Sequence, residues 1–154
     1  MTNQRRIAVR GIIFNDGKLL SQQLKPDKGE DRDYWCTPGG GLETNESLYE
    51  GLRRELIEET GIAPKIGRLL FVQQFHHGDQ EQMEFFFHIE NPQDYETIDL
   101  SSTSHGEIEI DTVDFIDPAK NNILPAFLQK INIETYINEP QAVLIYDELV
   151  RSVS

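Results

Sequence analysis

The sequence predicts an α/β domain in which a mixed β-sheet is sandwiched between helices. Three observations lead to this prediction: strand-like stretches occur along most of the chain, one amphipathic helix interrupts them, and a second helical stretch follows near the end. The 154 residues suffice to bury a core. Since no repeat or linker divides the sequence, we expect one domain over 1–154.

Turn-forming residues divide the N-terminal part of the chain into short strands. Residues 5–14 and 18–24 are strand-like, and Asn15-Asp16-Gly17 between them predicts a hairpin. A polar loop over 25–33 follows. The stretch "YWCTPGGG" then indicates a short aromatic strand that ends at a proline-glycine break.

A leucine repeat predicts an amphipathic helix over 46–60. The leucines recur at intervals of four and therefore lie on one face of the helix: Leu48, Leu52 and Leu56. Thr44 and Asn45 are suitable N-cap residues, and Gly61 suits the left-handed position that follows a helix.

The second half of the sequence predicts mostly strands. Residues 66–75 and 82–90 form a hairpin pattern, and the phenylalanines at 85–87 indicate a sheet that is buried on both faces. The remaining predicted elements are, in chain order, a loop over 91–105, a strand over 107–116, a helix over 123–137 that begins near Pro125, and a strand over 142–149.

The charge of the chain argues against extended nucleic acid as a partner. With 27 acidic and 14 basic residues the net charge is −13, which repels a polyanion at long range. A small phosphate-bearing ligand is compatible with this charge if metal ions supply the positive charge.

Other features of the sequence indicate a cytoplasmic protein without a membrane partner. No apolar stretch approaches the roughly 18 residues that a membrane span needs. The N-terminal residues are typical of a first strand rather than a signal peptide. The single cysteine, Cys36, is expected to be a packed, reduced thiol.

Three carboxylates lie where a helix normally carries basic residues. Glu55, Glu58 and Glu59 occupy the end of the predicted helix, where like-charge neighbours cost about 0.2–0.5 kcal/mol each and the helix dipole adds about 0.3–1 kcal/mol. One interpretation is a solvated acidic face on an acidic protein. The other is a site for a divalent cation such as Mg²⁺ or Mn²⁺, which prefers oxygen ligands. The helix alone leaves both interpretations open.

A longer pattern around the helix favours the cation site. From Gly40 to Ile62 the residues follow the spacing G-x5-E-x7-R-E-U-x-E-E-x-G-U, where U is an apolar aliphatic residue. All nine specified positions are filled over 23 residues. The pattern resembles the signature of the Nudix hydrolase family, whose fold is an α/β/α sandwich with a mixed β-sheet.

The resemblance implies a metal-dependent pyrophosphohydrolase that cleaves the diphosphate linkage of a small nucleoside diphosphate derivative. The candidate substrates are a nucleoside triphosphate, an oxidised nucleotide or a nucleotide sugar. By similarity, the ligands for Mg²⁺ or Mn²⁺ are the carbonyl group of Gly40 and the carboxylates of Glu55, Glu58 and Glu59. Glu55 or Glu58 would be the general base, Arg54 would orient Glu55, and Glu46 would support the loop before the helix.

Members of this family often carry one more acidic ligand in a loop that faces the helix. The corresponding stretch is "SHGEIEI", in which Glu107 is the first candidate and Glu109 the second. Because the stretch alternates like a strand, both side chains are predicted to face the same way, and spacing does not choose between them.

Contacts with the substrate lie outside the pattern. Arg10 is a candidate for a terminal phosphate, and Tyr34 or Trp35 for stacking on a nucleobase, with core packing as an equal alternative for the two aromatic residues. His76 and His77 stand where some subfamilies carry a proline or tyrosine marker for ADP-ribose or dinucleoside polyphosphates, so neither subfamily is selected. A nucleotide-sensing module without catalysis and an RNA-end hydrolase are the alternatives. A homodimer is an open option.

Overall fold

Ten strands form two five-stranded sheets within the described residues, 4–26 and 33–148 of this computed structural model. The centre of the predicted polar loop and the last residue of the predicted strand over 142–149 lie outside these ranges. The strands are β1 (Arg6–Ile12), β2 (Phe14–Asn15), β3 (Lys18–Leu24), β4 (Trp35–Cys36), β5 (Gly39–Gly41), β6 (Ile66–His77), β7 (Gln80–Ile89), β8 (Ile110–Ile116), β9 (Ile123–Leu124) and β10 (Leu144–Glu148).

Helices are few in the part of the chain that the structure describes. They are α1 (Leu48–Thr60), α2 (Gly106–Glu109) and α3 (Ile133–Asn138), with short 3₁₀ segments at Pro92–Tyr95, Leu100–Ser102 and Ala126–Gln129. Within residues 4–26 and 33–148, no helix has the length and apolar character that a membrane crossing requires.

The first sheet is mixed, as predicted. Its strand order is β10-β6-β7-β1-β5. Strand β1 runs parallel to β7 and β10 runs parallel to β6, whereas the β6–β7 and β1–β5 pairs are antiparallel. In the β1–β5 pair, Arg10 lies opposite Gly39 and Val9 lies opposite Gly40. This register holds the glycine stretch against the edge of the sheet.

The second sheet is built around β3, which pairs with β2, β4 and β8, while β9 pairs with β4. The predicted N-terminal turn is confirmed, since Asp16 and Gly17 both have positive φ angles, 50° and 77°, as a two-residue turn of this kind requires. Only β2, at the end of the predicted strand 5–14, pairs with β3, because β1 belongs to the first sheet. The hairpin of β6 and β7 is also confirmed, with His77 paired to Gln80.

Two clusters of apolar side chains form the core. Phe86 belongs to one cluster and Phe87 to the other, because consecutive side chains of a strand point to opposite faces. Leu52 and Leu56 of α1 are fully buried in the cluster that contains Phe87. Ile133 of α3 lies in the other cluster. The predicted sheet with two buried faces is therefore confirmed.

Helix α1 begins two residues later than predicted. Its N-cap is Ser47, not Thr44 or Asn45, since the Ser47 hydroxyl accepts a hydrogen bond from the Glu50 N–H at 3.0 Å. Asn45 instead has a φ of 67° in the preceding turn. Gly61 has a φ of 78° and donates its N–H back to the last turn, which confirms the predicted helix end.

The strand predicted over 107–116 begins only at Ile110, because the residues before it form the helical turn α2. The carbonyl of His105 accepts two N–H groups of that turn, at 2.9 and 3.2 Å. The prediction that Glu107 and Glu109 face the same way is therefore wrong, since residues two apart on a helical turn point about 200° apart. An alternation of four residues is too short to separate a strand from a helical turn.

The helix predicted over 123–137 is divided into three pieces. Its first two residues form β9, and buried Ile123 pairs with β4. Pro125 precedes a 3₁₀ segment rather than a longer helix. The side chain of Asn132 accepts a hydrogen bond from the Thr135 N–H at 3.3 Å and caps α3 as a new helix.

Candidate active site

Arg54 is the centre of the acid cluster, which we define as Glu46, Arg54, Glu55, Glu58 and Glu59. Its guanidinium donates to both oxygens of Glu46, at 2.7 and 3.0 Å, and to the carbonyl of Gly41 at 3.1 Å. Its Nη1 also donates to Glu55 at 3.0 Å and to Glu58 at 3.1 Å. One side chain thus connects the loop before α1 to both carboxylates that the sequence offers as the general base.

The carboxyl groups of the acid cluster differ in pKa because their surroundings differ. Hydrogen bonds from Arg54 lower the pKa of Glu46 to about 2. Burial raises the pKa of Glu55, against the opposing effect of Arg54. Burial also raises the pKa of Glu59 to about 8, opposed by Arg10 and reinforced by the nearby Glu55. Without a cation, Glu59 is therefore mostly neutral at pH 7, whereas Glu46 is ionised.

Glu59 is buried beneath the glycine stretch. The residue is only 4% exposed, and its Oε2 accepts a hydrogen bond from the Gly39 N–H at 2.9 Å. Gly39 has a φ of 140°, and a Cβ at this position would lie 2.0 Å from the Val9 carbonyl oxygen. Only glycine can therefore present its N–H to Glu59 here.

Gly40 allows α1 to approach β5 closely. A Cβ at Gly40 would lie 2.6 Å from the carboxyl carbon of Glu55, so any side chain would displace this carboxylate. The structure therefore places two of the predicted metal ligands, Gly40 and Glu55, in direct contact.

His105 is a residue of the site that sequence reasoning missed. Its Nδ1 lies 3.0 Å from Oε2 of Glu58, and its backbone N–H donates to the Glu58 carbonyl at 2.9 Å. Glu58 is thus held by Arg54 on one side and by His105 on the other. The available signal was its position in "SHGEIEI", the stretch expected to face the helix.

The stretch with the two further ligand candidates does lie against α1. A Cβ at Gly106 would be 2.2 Å from the carbonyl oxygen of Glu59, so α2 packs tightly on the end of the helix. Glu107 and Glu109 are both exposed, and Lys25 donates to the carbonyl of Glu107 at 2.5 Å. Their role as an additional metal ligand stays a prediction.

A cavity of about 580 Å³ is lined by strands of both sheets. Four lining residues on β6 and β7, which we name the cavity floor, are Gln73, Phe75, Gln82 and Glu84. The other lining residues are Arg6, Arg10, Leu24, Tyr34, Cys36, Thr37, His76, His77, Leu124, Pro125, Ala126 and Glu148.

Arg10 connects this cavity to the acid cluster. Its Nε donates to Glu84 at 2.8 Å, and its Nη1 donates to the carbonyls of Thr37 and Gly39, at 3.3 and 3.2 Å. Burial alone would lower the pKa of Arg10, but Glu84, Cys36 and Glu59 together more than offset this effect and raise it. Arg10 is thus a permanently charged, fixed group between the cavity and the glycine stretch.

The two aromatic candidates for base stacking occupy different places. Tyr34 lines the cavity. Trp35 packs against the core cluster that contains Phe86, and it is not among the residues that line the cavity. Of base stacking and core packing, the two roles left open for Trp35, the structure therefore shows core packing.

Two residues of the cavity floor carried no recognisable sequence signal. Gln73 and Glu84 lie directly opposite each other in the β6–β7 ladder, and both are more than nine-tenths buried. Neither belongs to a motif, because only the register of the hairpin brings them together. His76 and His77, noted in the sequence, also line the cavity.

The acid cluster fits a hard divalent cation in its chemistry. Among the described residues, no three His, Cys, Asp or Glu side chains already surround one point as a bound metal requires. The donors are nevertheless all oxygens, and the cluster holds four carboxyl groups against the single guanidinium of Arg54. Burial raises the pKa of two of these groups, Glu55 and Glu59, which a nearby cation would reverse.

Known proteins are similar in sequence to parts of this chain. The model of the NUDIX domain family matches residues 4–134. Nucleoside triphosphatase NudI of Escherichia coli is 40% identical over 58 residues, which are 38% of this chain and 41% of that protein. An ADP-ribose pyrophosphatase of Methanocaldococcus jannaschii is 43% identical over 68 residues, which are 43% of this chain and 38% of that protein. The chain thus spans about two fifths of the length of these curated relatives.

Solved structures share the fold. The solution structure of the Escherichia coli ORF135 protein aligns with a TM-score of 0.69 at 22% identity, over 90% of this chain and 96% of that one. A NUDIX hydrolase from Nitrosomonas europaea aligns with a TM-score of 0.65 at 20% identity, over 97% of this chain and 82% of that one. Since the family model covers most of the sequence, the chain belongs to the Nudix hydrolase family.

Proposed function

We propose that this Nudix hydrolase cleaves the diphosphate linkage of a small nucleoside diphosphate derivative, with Mg²⁺ or Mn²⁺ as cofactor. The observation that carries the proposal is the junction between the cavity and the acid cluster. Arg10 lines the cavity and donates to the carbonyl of Gly39, while the N–H of the same glycine donates to Glu59. A nucleoside in the cavity would therefore direct its phosphates toward the carboxylates.

The acid cluster would supply the cation ligands, from the carboxylates of Glu55, Glu58 and Glu59 with the carbonyl of Gly40. A bound divalent cation neutralises phosphate oxygens and lowers the pKa of a coordinated water. Glu55 or Glu58 would accept the proton of the attacking water, because each is partly exposed and each is oriented by Arg54. Arg54 would thereby act as a positioning residue for both candidates.

The cavity would hold the nucleoside. Its volume of about 580 Å³ lies within the range usual for small-molecule sites. Tyr34 and Phe75 offer flat apolar surfaces to a base, and Arg10 offers a fixed positive charge near the phosphates. From the sequence, either Tyr34 or Trp35 was a candidate for the contact with the base. Because Trp35 packs in the core, we assign this contact to Tyr34.

The substrate class includes nucleoside triphosphates, oxidised nucleotides and nucleotide sugars. Two relatives support this breadth, since one is named as a nucleoside triphosphatase and the other as an ADP-ribose pyrophosphatase. The acidic chain, with a net charge of −13, favours a small nucleotide over extended nucleic acid. A cytoplasmic location and a homodimer belong to the same proposal, and sedimentation of the purified protein tests the dimer.

A screen of purified protein against these three nucleotide classes tests the proposal. We expect a nucleoside monophosphate among the products with Mg²⁺ or Mn²⁺ and no turnover in EDTA. The Glu58→Gln variant, purified in the same way, shows whether the turnover belongs to this chain. Tight binding of nucleotides without turnover of any of them would contradict the hydrolase and support a nucleotide sensor.

A further inference from the structure

Arg6 and Arg10 both line the cavity, but the protein engages their guanidinium groups to different degrees. The charge of Arg10 is matched by Glu84 at 2.8 Å, and its Nη1 donates to two backbone carbonyls. Arg6 makes one hydrogen bond among the described residues, from its Nη1 to the neutral side chain of Gln82 at 3.3 Å, and it forms no ion pair with them. Since a guanidinium carries five N–H donors, Arg6 keeps both charge and donors for a ligand.

The position of Arg6 makes this charge available to the cavity. Arg6 is only partly buried and lines the cavity, so a ligand bound there can contact it. Arg5, the preceding residue, is exposed and does not line the cavity, and its guanidinium pairs with Glu81 at 3.0 Å. Of these two adjacent arginines, the one that faces the cavity is therefore the one whose charge the described part of the chain leaves unmatched.

The guanidinium of Arg6 lies against the glycine strand β5. A Cβ at Gly41 would be 3.2 Å from Nη2 of Arg6 and 3.4 Å from its Nε, so the absence of a side chain at Gly41 leaves room for this group. A Cβ at the neighbouring Gly40 would instead lie 2.6 Å from the carboxyl carbon of Glu55. Arg6 and Glu55 therefore border β5 from opposite faces, and β5 is the edge strand of its sheet.

We infer that Arg6 binds a phosphate group of the nucleotide where it passes the edge of β5, between the cavity and the acid cluster; this inference rests on the proposed function. A guanidinium presents paired N–H groups that match two oxygens of one phosphate. Arg10 supplies a fixed charge nearby, but its Nε and Nη1 stay engaged by Glu84 and by the two carbonyls. The carboxylates of the acid cluster repel a phosphate until a cation is bound, whereas Arg6 attracts it through its own charge.

Arg6→Gln and Arg5→Gln form a matched pair of variants, because each removes one arginine charge and only Arg6 lines the cavity. The probes are ATP, GTP, CTP, UTP and ADP-ribose, with Mg²⁺. For whichever of these the wild type turns over fastest, kcat/KM should fall about ten- to a hundredfold in Arg6→Gln, the usual size of a hydrogen bond between charged groups, and less than about twofold in Arg5→Gln. An unchanged kcat/KM in Arg6→Gln, or an equal fall in both variants, would overturn the inference while the hydrolase stands.

Inhibition by inorganic pyrophosphate separates a phosphate contact from a general disturbance of the cavity. Pyrophosphate has no base, so its Ki should rise about tenfold in Arg6→Gln, whereas the Ki of the matching nucleoside, which has no phosphate, should stay within about twofold. A similar rise of both Ki values, or a rise for the nucleoside alone, would refute the phosphate contact. Where Arg6→Gln does not fold, Arg6→Lys, which keeps the charge but loses the paired donors, carries the same comparison with a smaller expected change.

Direct binding measurements keep the test independent of turnover. If the wild type turns over none of the five nucleotides, the proposed function fails, and calorimetric Kd values for the same nucleotides then measure the contact of Arg6. Arg6→Gln should raise the Kd about tenfold or more, and Arg5→Gln should leave it within about twofold of the wild type. Equal Kd values for the wild type and Arg6→Gln, or no binding to the wild type, would overturn the inference as well.

Discussion

The acid cluster and the cavity floor both bury polar side chains, but they differ in whether the protein supplies hydrogen-bond partners for them. In the acid cluster, Arg54 bonds Glu46, Glu55 and Glu58 simultaneously, so these carboxylates have partners within the protein. On the cavity floor, the Oε1 of Gln73 has no partner in the described part of the chain. The cluster is thus organised by contacts within the protein, whereas the floor contains a buried oxygen without such a contact.

This difference separates the chemistry from the selection of substrate. A fixed set of carboxylates suits a reaction in which the protein mainly positions charge and water. The cavity suits discrimination, because the contacts of its lining residues differ from one nucleotide to another. We therefore expect changes in the acid cluster to lower turnover of every nucleotide, and changes in the cavity floor to alter the ratio between nucleotides.

The largest effect is expected for Glu58→Gln. This variant keeps the shape of the side chain and removes its ability to accept a proton or a full cation charge, so kcat should fall by about 10²–10⁴-fold. The measurement is steady-state release of nucleoside monophosphate at saturating Mg²⁺, with circular dichroism to confirm folding. Glu50→Gln, an exposed change on the first turn of α1, is the control and should retain wild-type kcat. Wild-type turnover in Glu58→Gln would contradict the role of this residue.

Arg54→Lys tests whether the acid cluster depends on the several hydrogen bonds that one guanidinium group donates at the same time. Lysine keeps the charge but cannot bond Glu46, Glu55 and Glu58 at once, so kcat should fall by about 10–100-fold for every nucleotide alike. The pKa of Glu46 should rise toward its ordinary value, because hydrogen bonds from Arg54 are the main cause of its depression. Kinetics and an NMR titration of Glu46 measure the two effects.

The control for Arg54→Lys is the adjacent, exposed Arg53→Lys, which should alter neither quantity. If both variants behave alike, the positioning role assigned to Arg54 is wrong.

The buried carboxyl of Glu59 gives the acid cluster a dependence on pH. Its pKa of about 8 in the folded protein exceeds the ordinary 4.5, so the neutral form favours folding. This contribution is complete below pH 4.5 and is lost as the pH rises through about 8, at about 1.4 kcal/mol per pH unit in between. In EDTA, Glu59→Gln should abolish this loss and be more stable than wild type at pH 9.

Urea unfolding of both proteins at several pH values measures this effect. The amide that replaces the carboxyl group in Glu59→Gln has no proton to lose, so the unfolding free energy of the variant should not carry the slope. Parallel pH profiles for the two proteins would show that Glu59 is ionised in the folded state without a cation.

The sequence predicted the acid cluster because its parts are local. Glu55, Glu58 and Glu59 are three and four residues apart on a helix, and helical spacing alone brings them together. Gly40 in β5 and Glu46 in the loop that follows it precede that helix by only a few residues. Nothing comparable predicts the cavity floor, because Gln73 meets Glu84 only through the register of a hairpin, which a shift of one residue would reverse.

The errors in the predicted fold have a similar origin. The stretch before α1 offers several capping residues, and composition alone did not select Ser47 over Thr44. The run over 123–137 is apolar enough for one helix, yet Ile123 pairs in a strand and Asn132 caps a new helix. For Ile123 a tertiary contact, its pairing with β4, decided between local alternatives that the sequence leaves close in energy.

The smallest effect is expected for Tyr34→Leu. This variant tests which of the two aromatic residues contacts the base. Loss of a stacking surface costs about 1 kcal/mol or more, so KM should rise about tenfold while kcat changes little. Trp35→Leu is the matched change one residue away. Because Trp35 packs against the core, it should lower the midpoint of thermal unfolding and leave KM nearly unchanged at temperatures where the protein is folded. The opposite pattern would place Trp35, and not Tyr34, on the nucleotide.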